Sequence, residues 1–219
     1  MKNRRFFLLL SFLANMLVFV MAAQAVTMSF LYHESSALSA SGFSTFRYFT
    51  TDSNVLAGLV SLLGGIAGLL ALLKGKDRLP RFVILLKYVG TSAVMVTFMV
   101  VLLFLGLIFG YGSMYTGTSF YMHGIVPILC LVSFAAFDRG YRLKKKEILL
   151  SLIPVVVYGI VYFIMVVALG PANGGWKDFY AFNAGGRWYL SMPIVFSGAA
   201  GLAALIRLLH NACDRTEKE

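Results

Sequence analysis

The stretch that decides the fold is residues 82–109, "FVILLKYVGTSAVMVTFMVVLLFLGLIF", which is apolar apart from one lysine and a few small hydroxyl side chains. Crossing the ~30 Å hydrocarbon core of a bilayer as an α-helix takes about 20 mostly apolar residues. Long continuous runs of this kind are typical of membrane helices, whereas the strands of membrane barrels are short and alternate. The stretch therefore predicts one helical membrane span.

Five further apolar runs lie on either side of this stretch, and the six together predict an all-α, polytopic six-transmembrane-helix bundle. The predicted spans are residues 6–31, 51–73, 82–109, 120–137, 148–169 and 188–209. The connections are too short for a soluble domain, so residues 1–219 form a single integral membrane domain. The chain is 59% hydrophobic and 13% charged, which is about half the charged fraction of a soluble domain.

The start of the chain has two interpretations. A basic segment, an apolar stretch and the tripeptide Ala-Gln-Ala, ending at residue 25, have the layout of a secretory signal peptide. The apolar run is longer than in a usual signal peptide, and it continues past that site to Phe30 and Leu31. We therefore expect residues 1–25 to be retained as part of the first span.

The basic residues are distributed unevenly between the two ends of the six-span arrangement. Sixteen of the 19 Lys and Arg residues fall at one end, and only Arg47, Lys177 and Arg187 fall at the other. The positive-inside rule then places both termini in the cytoplasm, and we expect a multi-pass protein of the bacterial inner (plasma) membrane. Contact with anionic lipids explains the net charge of +10, so no nucleic-acid partner is expected.

Polar residues gather at the predicted start of the second span, in residues 47–59, "RYFTTDSNVLAGL". Spans two, four and six begin at the same end of the bundle, so His123 in span four should lie at the same depth as this cluster. An ionisable group at membrane depth is a candidate for function. The first interpretation is structural, with side-chain oxygens capping the helix start and His123 bonding a carbonyl.

The second interpretation is an active site. Thr50 would supply a hydroxyl nucleophile and His123 would take its proton, while N–H groups at the helix start would stabilise an oxyanion. Asn54 could assist them, and Asp52, the nearest acid, could orient the imidazole as in a catalytic triad. The supporting residues of this hypothesis are Thr51, Asp52, Ser53 and Asn54. The residues alone leave both interpretations open.

Three further residues at this end are candidates for substrate binding: Arg47, Arg187 and Tyr189. A guanidinium group pairs well with a carboxylate or a lipid phosphate. The same residues would also serve as ordinary headgroup contacts, and Tyr189 suits the aromatic belt of a membrane interface. Both interpretations remain open for these residues.

Other features predict packing. Lys87 is expected to extend its amine toward the basic end of the bundle. Pro127 has no N–H, so we expect the backbone carbonyl of His123 to be left unpaired, with a kink or a local polar pocket at that turn. The glycines of residues 62–70, "LLGGIAGLL", predict close contact between helices.

The sequence has no spacing of His or Cys typical of zinc or haem and no glycine loop that would hold a phosphate. We therefore expect no metal and no cofactor. A transporter should show interrupted helices paired between two halves, and no such symmetry is found. A non-catalytic lipid or small-molecule binder, or a transporter, remains the alternative function.

Four segments carry a resemblance to a known family. They are "RYFTTDSN" (47–54), "KYVGTSAVMVTFMV" (87–100), "MHGIVPIL" (122–129) and "WKDFYAFNAGG" (176–186). Together they resemble the androgen-induced and androgen-dependent TFPI-regulating membrane hydrolase family, and its small bacterial branch most closely. The resemblance runs over most of the chain and has the same six-span layout.

This resemblance implies a threonine hydrolase that cleaves fatty-acyl lipid esters. By position, the family's threonine falls on Thr50 and its histidine on His123. Because Thr51 adjoins Thr50, either hydroxyl could be the nucleophile. The implied substrate and partner is a membrane lipid or lipid ester, met at the outer leaflet.

Overall fold

The structure, a computed structural model, describes residues 2–32, 38 and 40–215. Six helices in this part of the chain are long and apolar enough to cross a membrane, and the described residues contain no β-strand. They are α1 (Lys2–Leu31), α2 (Phe49–Leu73), α3 (Arg81–Phe109), α4 (Thr118–Phe137), α5 (Lys145–Leu169) and α6 (Trp188–Arg215). The predicted all-α bundle of six membrane helices is confirmed.

Helices α1 to α4 form the centre of the bundle, and α5 and α6 pack along one side of α3. Close contact between α1 and α2 depends on glycine, as the sequence predicts. A Cβ at Gly64 would meet the side chain of Asn15 at 3.0 Å, and one at Gly68 would meet Phe12 at 3.6 Å. The absence of side chains at these positions lets the two helices approach closely.

Helix α6 continues beyond its predicted end because the polar residues there are used for packing. The two ring nitrogens of His210 lie 3.0 Å from the carbonyl oxygens of Phe134 and Tyr141. Asn211 accepts a hydrogen bond from the Leu143 N–H at 2.8 Å. These contacts hold the connection between α4 and α5 against α6.

The prediction for Lys87 is wrong, because this side chain lies inside the bundle. Its Nζ atom lies 3.8 Å from Asp138 Oδ2 and donates to Ser61 Oγ at 2.9 Å. Asp138 Oδ1 also accepts from Ser11 Oγ at 2.6 Å and from Asn15 Nδ2 at 3.0 Å. Both charged residues are fully buried, so α1, α2, α3 and the end of α4 meet at a buried ion pair.

Candidate active site

Thr50 and His123 meet where α2 and α4 begin. Thr50 lies in the first turn of α2, and His123 lies in a wide π-helical turn, Tyr121–Ile125, near the start of α4. Thr50 Oγ1 is 3.3 Å from His123 Nε2. The predicted proximity of the hydroxyl and the imidazole is confirmed.

The second ring nitrogen of His123 fixes the tautomer of the imidazole. Nδ1 lies 2.7 Å from the backbone carbonyl oxygen of Met114, in the short helix Tyr111–Met114. A carbonyl oxygen only accepts hydrogen bonds, so Nδ1 carries the proton and a neutral ring has a lone pair on Nε2. Nε2 therefore accepts from the Thr50 hydroxyl, and this is the arrangement that a general base requires.

The prediction that Asp52 orients the imidazole is wrong. The Met114 carbonyl occupies the nitrogen that an acid would hold, and no hydrogen bond joins Asp52 to His123 in the described structure. A bond from His123 to a carbonyl was expected in the structural interpretation, but Met114 acts through its backbone, so no side-chain pattern could have identified it. The orienting group of this pair is therefore a peptide dipole and not a carboxylate.

The Thr51 hydroxyl bonds another threonine and not the imidazole. Its oxygen lies 3.1 Å from Thr45 Oγ1, which in turn lies 3.0 Å from Ser29 Oγ. Thr51 is 2% exposed, and its hydrogen bond joins α2 to the 3₁₀ turn Gly42–Arg47. The contact with His123 thus distinguishes the two adjacent threonines in favour of Thr50.

Ser53 and Asn54 connect α2 to its neighbours. Ser53 Oγ lies 2.9 Å from Thr97 Oγ1 of α3. Asn54 Nδ2 donates to the Thr50 carbonyl at 2.8 Å and to the Met122 carbonyl at 3.2 Å. Because its amide hydrogens are directed at these two carbonyls, Asn54 positions the site and does not serve as the predicted oxyanion donor.

Pro127 explains why the Met122 carbonyl needs this partner. A π-helical turn pairs residues five positions apart, and Pro127, five residues after Met122, has no N–H to donate. The Asn54 amide supplies the missing donor from α2. The local disturbance predicted at Pro127 is thus a wide turn. The carbonyl that takes a donor from α2 is that of Met122 and not that of His123 as predicted, because the wide turn shifts the pairing by one residue.

The capping interpretation does not describe the start of α2. Its N-cap residue is Tyr48, and no side chain caps the helix. The Phe49 N–H donates instead to Tyr180 Oη at 3.1 Å. Burial raises the pKa of the Tyr180 phenol, so this group stays a neutral hydroxyl at physiological pH.

The three residues predicted to bind substrate lie outside the site. Arg47, Arg187 and Tyr189 are exposed, and none of them lines the cavity at Thr50 and His123. Arg187 precedes α6 and Tyr189 lies in its first turn, and α6 packs mainly on α3, α5 and the end of α4. They suit contacts with lipid headgroups.

The cavity beside the pair is small, with a volume of about 40 Å³. On the same measure a cavity of about 10–15 Å³ holds one water molecule, so this cavity has room for a small polar group and not for a whole lipid. Its lining includes Tyr48, Thr50, Met122, His123 and Tyr180. Within the described residues, no group of His, Cys, Asp or Glu side chains could hold a metal ion.

No protein-family model, no curated protein and no solved structure matches this chain. The six candidate spans in the described part of the chain fit a multi-pass helical membrane protein. Its resemblance to the membrane hydrolases stays a prediction.

Proposed function

We propose that this protein is a membrane-embedded threonine-type hydrolase that cleaves fatty-acyl lipid esters. One observation carries the proposal: the Thr50 hydroxyl faces the unprotonated nitrogen of an imidazole whose other nitrogen is held by a carbonyl. A hydroxyl becomes an effective nucleophile when a base removes its proton. The resemblance of the segments around Thr50 and His123 to the membrane hydrolases supports the same assignment.

The reaction follows from these positions. Thr50 Oγ1 attacks the ester carbonyl carbon while its proton passes to His123 Nε2. The tetrahedral intermediate collapses to an acyl-threonine, and the departing alcohol takes the proton from His123. Water then attacks the acyl-threonine with His123 again as the base, which releases the fatty acid and restores Thr50.

Two backbone groups support these steps. The Met114 carbonyl holds the imidazole in place and interacts favourably with the imidazolium that forms. The Thr50 N–H makes no hydrogen bond to another described residue, and it lies at the positive end of α2. It is therefore available to the oxyanion, and one preorganised donor of this kind contributes about 10²–10³-fold in rate.

The size of the cavity favours a lipid ester over a compact small molecule. Sites for small molecules have volumes of about 300–1,000 Å³, whereas this cavity has about 40 Å³. It admits an ester group, and the acyl chain must extend into the surrounding bilayer. This small volume disfavours the binding of a compact small molecule at this cavity, and it does not distinguish a hydrolase from a non-catalytic lipid binder or a transporter.

The proposal includes an orientation. By the positive-inside rule, the basic end of the bundle and both termini lie in the cytoplasm, and Thr50 and His123 lie toward the outer leaflet. The expected location is a bacterial inner (plasma) membrane. A substrate would then reach the site laterally from that leaflet.

The test is covalent labelling with a fluorophosphonate probe, which reacts with activated hydroxyl nucleophiles. The variants are Thr50→Ala, Thr50→Ser, His123→Ala and Thr51→Ala, purified alongside the wild type. We expect labelling of the wild type, Thr50→Ser and Thr51→Ala, and none of Thr50→Ala. Loss of the base should slow labelling of His123→Ala by about 10²–10⁴-fold.

Thr51→Ala is the matched control, because it removes a neighbouring hydroxyl that contacts Thr45 and not His123. Equal labelling of the wild type and Thr50→Ala would refute the assignment. Labelling that disappears only in Thr51→Ala would move the nucleophile to that residue.

A further inference from the structure

A second cavity, of about 250 Å³, lies at the basic end of the bundle, opposite the Thr50–His123 site. Its walls come from the start of α1, the α2–α3 connection, the α4–α5 connection and the end of α6. Four arginines line it: Arg4, Arg78, Arg139 and Arg142. The cavity is several times larger than the one beside Thr50, and nothing in the proposed hydrolysis uses it.

Carboxylates balance only part of this positive charge. Asp77 is shared, with Arg4 Nη1 3.5 Å from Oδ2 and Arg78 Nε 3.7 Å from Oδ1. Asp214, the other acid in the lining, accepts from the Gly140 N–H at 3.3 Å. Among the described residues, four guanidinium groups and two carboxylates thus line the cavity, and these six side chains carry a net positive charge.

One wall of the cavity is apolar and fixes the orientation of an arginine. The guanidinium carbon of Arg139 lies 3.5 Å from the ring centroid of Phe7, and Arg139 Nε donates to the Ala136 carbonyl at 2.9 Å. Leu8 and Phe137 also line the cavity. An apolar wall beside oriented guanidinium groups suits an anion attached to a nonpolar body.

The positive-inside rule requires basic residues at this end, but it does not require them to converge in a concavity. Lys145 and Lys146 lie at the same end, are exposed and do not line the cavity. Converging like charges repel each other, and a bound anion offsets that repulsion. Arginine matches phosphate oxygens with two parallel N–H donors.

We propose that this cavity binds a phosphate-bearing anion, either the headgroup of an anionic phospholipid or free phosphate. The guanidinium groups of Arg78 and Arg142, which are exposed at the cavity, take the phosphate oxygens. The apolar wall at Phe7 and Phe137 contacts the glycerol end of a lipid. This site does not depend on the hydrolase activity proposed for Thr50.

The test uses the full chain purified in a non-ionic detergent. Its unfolding midpoint is titrated with dioctanoyl phosphatidylglycerol, dioctanoyl phosphatidylcholine and sodium phosphate, each compared with sodium chloride of equal ionic strength. We expect phosphatidylglycerol to raise the midpoint and phosphatidylcholine not to raise it. If sodium phosphate raises the midpoint equally, free phosphate is sufficient as the ligand. If phosphatidylglycerol raises the midpoint and sodium phosphate does not, the ligand is the lipid headgroup.

The decisive comparison is between two double variants that each remove two positive charges. Arg78→Gln/Arg142→Gln should raise the apparent Kd for the bound anion by about tenfold or more. Lys145→Gln/Lys146→Gln, at the same end but outside the cavity, should change it by less than about twofold. The single variant Arg142→Gln, at an exposed residue without a hydrogen bond to another described residue, repeats the test if the double variant unfolds.

Two outcomes would overturn the proposal. One is a wild-type midpoint that neither phosphatidylglycerol nor phosphate raises. The other is an equal loss of affinity in both double variants, because general surface charge would then explain the binding.

Discussion

At the scale of single residues, Asn54 holds the two halves of the candidate active site together. Its amide bonds the carbonyl of Thr50 in α2 and the carbonyl of Met122, next to His123, in α4. We expect Asn54→Ala to reduce kcat toward a soluble ester substrate by about 10²-fold with little change in KM, because a displaced base loses its alignment. The measurement is steady-state kinetics.

Asn54→Asp separates positioning from general loss of structure. An aspartate keeps the shape but replaces the donor with an acceptor that faces two carbonyls, so we expect a loss at least as large as that of Asn54→Ala. Full activity in both variants would contradict the positioning role. Asn211→Ala is the matched control, because it removes a buried amide that bonds the backbone of Leu143 and not that of Thr50 or Met122.

The buried pair of Lys87 and Asp138 gives a second prediction at this scale. Removing one partner of a buried ion pair leaves the other charge without compensation and costs about 3–5 kcal/mol. We expect Lys87→Met and Asp138→Asn each to lower the unfolding free energy by about that amount. Chemical denaturation in detergent measures it.

The double variant Lys87→Met/Asp138→Asn should be less destabilised than the sum of the single variants, since neither charge is then left alone. Lys145→Met, at an exposed position, should change stability by less than about 0.5 kcal/mol. Additive effects in the double variant would show that the two side chains do not interact.

The residues of the site differ in how far the sequence predicts them. Thr50 and His123 were predictable as neighbours, because both lie near the starts of spans that begin at the same end. Asp52 was assigned because it is near Thr50 in the sequence. Residues two positions apart on a helix, such as Thr50 and Asp52, are separated by about 200° around its axis. Lys87 was expected to extend its amine to the basic end because a long charged side chain in an apolar run usually does so, and its partner, Asp138, lies just beyond the apolar run of α4.

At the scale of secondary-structure elements, the contact between α2 and α3 depends on Gly90. A Cβ at this position would lie 2.5 Å from Val60 Cγ2 and 3.5 Å from the Ala57 Cα. Val60 is a β-branched residue in a helix and has little freedom to move aside. We expect Gly90→Ala to destabilise the protein by about 1–3 kcal/mol, measured as a lower unfolding midpoint in detergent.

Gly198 in α6 is the matched control for Gly90. A Cβ there would meet nothing within 4 Å, so Gly198→Ala should stabilise the protein by about 0.5–1 kcal/mol through helix propensity. Similar effects of both substitutions would show that the close α2–α3 contact does not depend on the absence of a Cβ atom at Gly90.

Element boundaries were largely predictable and local helix geometry was not. The length of the apolar run predicted the end of α3 at Phe109, because a chain that leaves the membrane core continues in a more polar connection. The wide turn Tyr121–Ile125 left no signal apart from Pro127, because its stability comes from the Asn54 amide of another helix. A tertiary contact of this kind joins two helices, so it cannot be predicted from the sequence of one segment.

At the scale of the whole molecule, the two ends of the bundle differ in chemistry. One end has the Thr50–His123 pair in a cavity of about 40 Å³, and the other has four arginines around a cavity of about 250 Å³. Alternation of the spans was enough to predict that the polar cluster and the basic loops lie at opposite ends. The cavities themselves could not be predicted, because they form where several connections meet.

The orientation of these ends in a membrane gives the last prediction. Ala172 and Lys146 are exposed residues in the α5–α6 and α4–α5 regions, at opposite ends of the bundle. With Cys213 replaced by Ser and Cys130 buried, we expect a membrane-impermeant maleimide to label Ala172→Cys in intact cells and to leave Lys146→Cys unlabelled. The positive-inside rule gives this direction because residues 138–147, the α4–α5 connection and the start of α5, carry five basic residues. Both variants should label after solubilisation in detergent, and the opposite pattern in cells would place Thr50 and His123 on the cytoplasmic side.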